Sequence, residues 1–162
     1  MTLANIFLFY SILGNLFERI FMHFLNKKYI SGFMNTIFTP IYGIAALIII
    51  YIHKKIKIKN KLLKIIIEFI IYAIILSVLE LFGGLLIENI FNKIYWNYDK
   101  FRFNIGKYIS LETSLLWGLL SIIVIYLIHP LYKKIENKIP KLLTISLSVF
   151  FIINFIIILI VK

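Results

Sequence analysis

The sequence predicts an all-α integral membrane protein: a bundle of five transmembrane helices with a structured loop between helices 3 and 4, forming a single transmembrane domain over residues 1–162. Three observations carry this prediction. Hydrophobic residues make up 62% of the chain and its mean hydropathy is +0.97, against roughly 45–50% apolar residues in soluble domains. The apolar residues gather in five runs, near 3–24, 33–52, 62–91, 109–132 and 142–161, and a span needs about 20 such residues to cross about 30 Å of hydrocarbon. Short connectors rich in lysine separate the runs. Backbone amides in lipid must be satisfied within their own segment, so the runs are helices rather than open strands. They show no polar–apolar alternation, which excludes an outer-membrane barrel.

The first run opens MTLANIFLFY, with no basic n-region and no small-residue cleavage pattern. It is therefore expected to be a retained helix and not a signal peptide. Ser11, Gly14, Asn15 and Glu18 fall within roughly one 100° sector of it. The second run has Pro40 early, near a helix end where the missing amide proton is tolerated. The third run repeats the small-and-polar stripe with Ser77, Glu80, Gly84 and Glu88, flanked by Gly83. Small residues let helices approach, and a carboxylate in hydrocarbon costs about 2.5–3.5 kcal/mol or more unless it faces a partner or water. Both stripes are accordingly expected to turn inward. The bland alternatives are close packing for the glycines, and interfacial pairing of Glu18 and Glu88 with Arg19, Lys93 or Arg102. Glu80 lies deeper. Glu68 and Glu112 begin the third and fourth runs, where acids are often just interfacial, although either can join the network.

The connector near 92–108, NKIYWNYDKFRFNIGKY, is the most unusual segment. Tyr95, Trp96 and Tyr98 suit an aromatic belt at the bilayer edge. A belt does not require Asp99, Arg102, Asn104 and Gly106 in the same loop, so a structured cap is expected. Pro130 and Pro140 bracket the fourth connector and are placed near helix ends.

Charge gives an orientation. The net charge is +11, but the lysines lie at span ends, as headgroup contact requires, so nucleic acid is not an expected partner. The second and fourth connectors carry ten Lys or Arg residues against seven on the other side, which places them and the amino terminus in the cytoplasm. Cysteine is absent, which excludes disulfides and thiol chemistry but leaves the compartment open. His23, His53 and His129 end different spans at no metal-binding spacing, so no metal is expected. No HExxH, GxSxG or GxxxxGK[ST] motif occurs. No cofactor is expected and no catalytic residue can be named. Any nucleotide hydrolysis must come from another polypeptide.

The polar positions also carry a resemblance. The chain reads Gly14-Asn15-Leu16-Phe17-Glu18, Ser31-Gly32-Phe33 and Pro40-Ile41-Tyr42-Gly43, then Glu80-Leu81-Phe82-Gly83-Gly84-Leu85-Leu86-Ile87-Glu88. Trp96-Asn97-Tyr98, Phe103-Asn104-Ile105-Gly106, Trp117-Gly118 and His129-Pro130 follow. In this order the motifs resemble the bacterial family catalogued as "Putative ABC-transporter type IV" (CmpB-like), to which the transmembrane protein 229 family is also similar. Asn15 stands where the family pattern has Trp, Ser31 where it has Arg, and Asn97 where it has Asp; Asp99 is a candidate to replace that last acid.

The resemblance implies a transporter permease-type subunit in the bacterial cytoplasmic membrane. Its partners would be the lipid bilayer and either further copies of itself or a separate subunit, an ATPase in a true ABC system. The expected pocket for a solute or cation comprises Glu18, Glu80, Glu88, Asn104, Trp96 and Tyr42, on the non-cytoplasmic side beneath the third connector. Gly14, Gly32, Pro40, Gly43, Gly84, Gly106 and Trp117 are expected to shape it. The alternatives are a membrane-embedded enzyme acting on a lipid or lipid-linked substrate, with Glu, Asp and His as acid–base groups, and a non-catalytic scaffold or regulator whose polar stripes hold helices together.

Overall fold

The computed structural model describes residues 2–24, 34 and 36–160, and the architecture is all-α. Helix α1 spans Thr2–Phe24, α2 Pro40–Lys55 and α3 Lys61–Phe91. A two-residue-per-strand antiparallel hairpin follows, β1 (Asn104–Ile105) paired with β2 (Ile109–Ser110). Helix α4 (Leu111–Ile123), a π-helical segment (Val124–Ile128), α5 (His129–Ile135) and a short 3-10 turn (Glu136–Lys138) form one rod, and α6 (Lys141–Ile160) ends the described chain.

Among the described residues, three stretches are long and apolar enough to cross a membrane: α3 with 31 residues, the rod Leu111–Lys138 with 28, and α6 with 20. The expected second span is shorter than its apolar run. Helix α2 begins at Pro40, not near residue 33, and its 16 residues reach about 24 Å. The chain before it is held out of helix by Phe38 N–H donating to Thr36 Oγ1 (3.2 Å) and Thr39 N–H donating to the Ser11 carbonyl (3.1 Å). Pro40 then starts the helix, since it lacks an amide that the first turn would leave unused, while disfavouring helix at Thr39. Helix α1 is 23 residues long but is interrupted by Asn5, Asn15, Glu18 and Arg19.

The chain divides into two units, Met1–Leu47 with Ile135–Lys162, and Ile48–Lys134. In the first, α1 meets the start of α2 through small residues. A Cβ at Gly14 would fall inside the Tyr42 ring, and one at Gly43 would strike the Ser11 hydroxyl and the Phe7 ring and carbonyl. Asn15 donates to Thr39 Oγ1 (3.0 Å) and accepts from Arg19 Nε (2.8 Å), so it ties α1 to the segment before α2. Phe151 of α6 stands edge-on to Phe7 and Phe38, at 5.1 and 5.5 Å. Thr144 Oγ1 donates to Asn5 Oδ1 (2.6 Å) and is the buried residue of α6; most of that helix is exposed, as suits a lipid-facing surface.

In the second unit α3 packs along α4. Gly118 admits the Phe69 ring, which would lie 2.9 Å from an added Cβ, and the Ser77 and Ser114 hydroxyls bond across the pair. The Asn60 side chain caps α3 by accepting from Leu63 N–H (3.1 Å), and Ser110 caps α4 by accepting from Thr113 N–H (3.1 Å); an unfilled amide at such an end costs about 1 kcal/mol. Asn92 closes α3 in the left-handed region, φ 50°, with its amide on the Glu88 carbonyl (2.8 Å).

The expectation that Pro130 marks a helix end is overturned. Pro130 lies within the rod at the second position of α5, and the helix absorbs it by widening into the π segment immediately before.

Candidate functional site

Helix α3 positions the site because a row of residues four apart, Glu68, Tyr72, Leu76, Glu80 and Gly84, is buried as it winds around the helix. Glu80 is 7% exposed in the middle of this apolar helix. Its Oε1 accepts the Tyr98 hydroxyl at 2.7 Å, and the Trp117 side chain is its other polar neighbour. Among the described residues no cationic group pairs with it.

Two turns further on, about 12 Å along the axis, Glu88 meets the connector. Lys107 Nζ donates to its Oε1 at 2.7 Å and the Tyr108 hydroxyl to its Oε2 at 2.8 Å. The partner is thus Lys107, not the Lys93 or Arg102 that proximity in sequence suggests. The Tyr108 ring occupies the space left by Gly84, where a Cβ would lie 2.5 Å from ring carbon Cδ1. Burial first, and then the bond to Glu88, pushes the Tyr108 phenol up to about 12, so it remains a donor at neutral pH. Trp96 stands edge-on to Tyr108 at 5.8 Å.

The connector keeps this shape through its own bonds. Tyr98 N–H donates to the Lys107 carbonyl (2.8 Å) and Leu111 N–H to that of Phe103 (2.9 Å). Gly106 turns the hairpin at φ +63°, a region L side chains rarely adopt. Asn104 donates weakly to the Gly106 carbonyl (3.4 Å) and therefore serves the turn. Asp99, the candidate replacement for the acid at position 97, lies against Asn97: the Asn97 amide donates to Asp99 Oδ2 (2.8 Å), and Asp99 N–H donates back to Asn97 Oδ1 (2.7 Å).

Of the residues expected to form one pocket, those in the second unit fall into local groups. Glu80, Trp117 and Tyr98 form one cluster; Glu88, Lys107, Tyr108 and Trp96 form the next; Asn104 belongs to the hairpin turn. Glu18, half-buried, and Tyr42, packed on Gly14, belong to the other unit. Gly32 lies outside the described residues.

Sequence reasoning under-read Glu68. Expected either at the interface or in the polar network, it is fully buried (0% exposed) and gathers three partners: Tyr126 Oη at 2.7 Å, His53 Nδ1 at 2.8 Å and Lys64 Nζ at 3.6 Å. The signal was available, because stepping back from Glu80 by fours reaches it. Among the described residues no cluster of acids and histidines is arranged to hold a metal ion.

No curated protein and no solved structure matches this chain, so the similarity to the transmembrane protein 229 family has no support beyond the motifs themselves. One family model does match, over nearly the whole length. By that match, together with apolar helices of membrane-spanning length, the chain is a membrane protein belonging to the family described as "Putative ABC-transporter type IV", whose model covers residues 5–161.

Proposed function

We propose that the protein is a permease-type membrane subunit in which Glu80 is the central group of a polar site for a solute or cation. The observation that carries this reading is a nearly buried carboxylate in an apolar span, bonded to Tyr98, with the Trp117 indole beside it, and lacking a cationic partner among the described residues. A lone acid in hydrocarbon is costly, and such residues usually mark ion or substrate pathways. Glu88 is neutralised by Lys107 and holds the connector in place, so Glu80 is the acid left to meet a cation. Glu18 is retained as a third intramembrane carboxylate, on α1. The reading includes five membrane spans, with α1 and α2 completing the set, an amino terminus in the bacterial cytoplasm, and self-association or a separate ATPase subunit to supply the energy.

The test is uptake of radiolabelled cations and small solutes by proteoliposomes. Glu80→Gln is expected to reduce flux at least tenfold, about 1.4 kcal/mol of lost stabilisation by the usual conversion. Glu88→Gln is expected to act mainly by loosening the connector. Flux equal to the parent in both variants removes the carboxylate role.

A further inference from the structure

The fourth rod breaks its regularity in one place. Between α4 and α5, Val124–Ile128 is wound as a π-helix, closed by the His129 amide donating to the Val124 carbonyl. Pro130 follows. It has no amide to offer, and its ring opposes the carbonyl four residues back, that of Tyr126. A π turn is in effect one inserted residue; its loss rotates the flanks by about 100° and slides them about 1.5 Å. Such turns occur frequently at functional sites.

The side chain at the centre of this break is also the one that reaches the buried acid. Tyr126 donates to Glu68 Oε2 at 2.7 Å, while Oε1 lies 2.8 Å from His53 Nδ1 and 3.6 Å from Lys64 Nζ. Lys64 also donates to the His53 carbonyl at 3.4 Å, and the His53 ring stands edge-on to Tyr126 at 5.4 Å. One fully buried carboxylate therefore joins the last turn of α2, the start of α3 and the π segment. It lies about 18 Å along α3 from Glu80, and nothing here depends on the transport reading.

The geometry points to a latched hinge: the π segment with Pro130 is the hinge, and the Tyr126–Glu68 bond, backed by His53 and Lys64, is the latch that fixes its register. While Glu68 holds the hydroxyl, the wide turn is stable. Once released, the rod relaxes toward α-helical register, Tyr126 rotates off Glu68, and α5 turns relative to α3.

The chain has no cysteine, so cysteines introduced at the exposed positions Lys61 and Lys134 can be spin-labelled alone and their separation measured in bilayer discs. The parent is expected to give one narrow distance. Tyr126→Phe, which removes a single hydroxyl, is expected to add a second population displaced by about 5–8 Å, the arc of a 100° turn at the helix surface. Glu68→Gln should do the same. Pro130→Ala, which supplies an amide for the Tyr126 carbonyl, should give that population with Glu68 untouched. A Tyr126→Phe distribution identical to the parent overturns the latch, and an unchanged Pro130→Ala distribution overturns the hinge. Loss of helical content in Tyr126→Phe also overturns the latch, because the hydroxyl would then be a structural bond.

Discussion

Glu68, Glu80 and Glu88 all project from one helix, α3, yet each is satisfied differently. Glu68 takes a histidine, a lysine and a tyrosine; Glu80 takes a tyrosine hydroxyl beside an indole; Glu88 takes a lysine and a tyrosine. A buried acceptor that loses its donor costs about 1–3 kcal/mol, so Tyr98→Phe should lower the thermal midpoint of the detergent-solubilised protein, and an unchanged midpoint would mean that Glu80 finds another donor. Crowding sets a second residue-scale expectation. Gly84→Val would drive a side chain into the Tyr108 ring, and overpacking of this kind costs about 1–3 kcal/mol. Lys100 and Arg102 are already exposed, and the displaced connector should present its backbone there more readily to trypsin, so faster cleavage is the readout. That Glu80 and Glu88 share a face was legible in the sequence from their spacing. Which cation pairs with Glu88 was not, because Lys107 reaches it only after a hairpin reverses the chain.

At the scale of elements, the connector is a strap built from a short hairpin and its aromatic anchors. Its turn depends on Gly106, where φ is +63° and an added Cβ would meet nothing. Gly106→Ala is therefore a backbone test free of steric clash. It should cost about 1–2 kcal/mol and raise the rate of trypsin cleavage in the connector without changing the helical content. An unchanged rate would show that the aromatic anchors alone hold the strap. The helices divide in the same way. Hydropathy placed α1, α3 and α6 nearly to the residue, because each apolar run is also a helix. It misplaced the start of α2, where the segment 36–39 is apolar in part but bonds to Thr36 and Ser11 instead of continuing a helix. It also missed the interior position of Pro130, since a π turn carries no hydropathy signature.

For the whole molecule, the lysine asymmetry makes a statement that labelling can check. Cysteines at Lys57 and at Ile105, exposed on the second and third connectors, should react differently with a membrane-impermeant maleimide applied to intact cells. Ile105→Cys should label and Lys57→Cys should label only after permeabilisation; the reverse pattern inverts the orientation. The same experiment bears on span number, since an odd number of crossings must separate the two positions.

Composition and period alone determined that this chain is a helical membrane protein with acids set into its third apolar run, because the cost of bare amides in hydrocarbon admits few alternatives. The motif order determined the family. Tertiary structure decided the rest: that Glu68 is buried with His53 and Tyr126, that Glu88 is spoken for by Lys107, and that the fourth rod carries a π break. Each of these depends on side chains distant in sequence meeting across packed helices, and pairings of that kind leave no periodic trace in a single chain of residues.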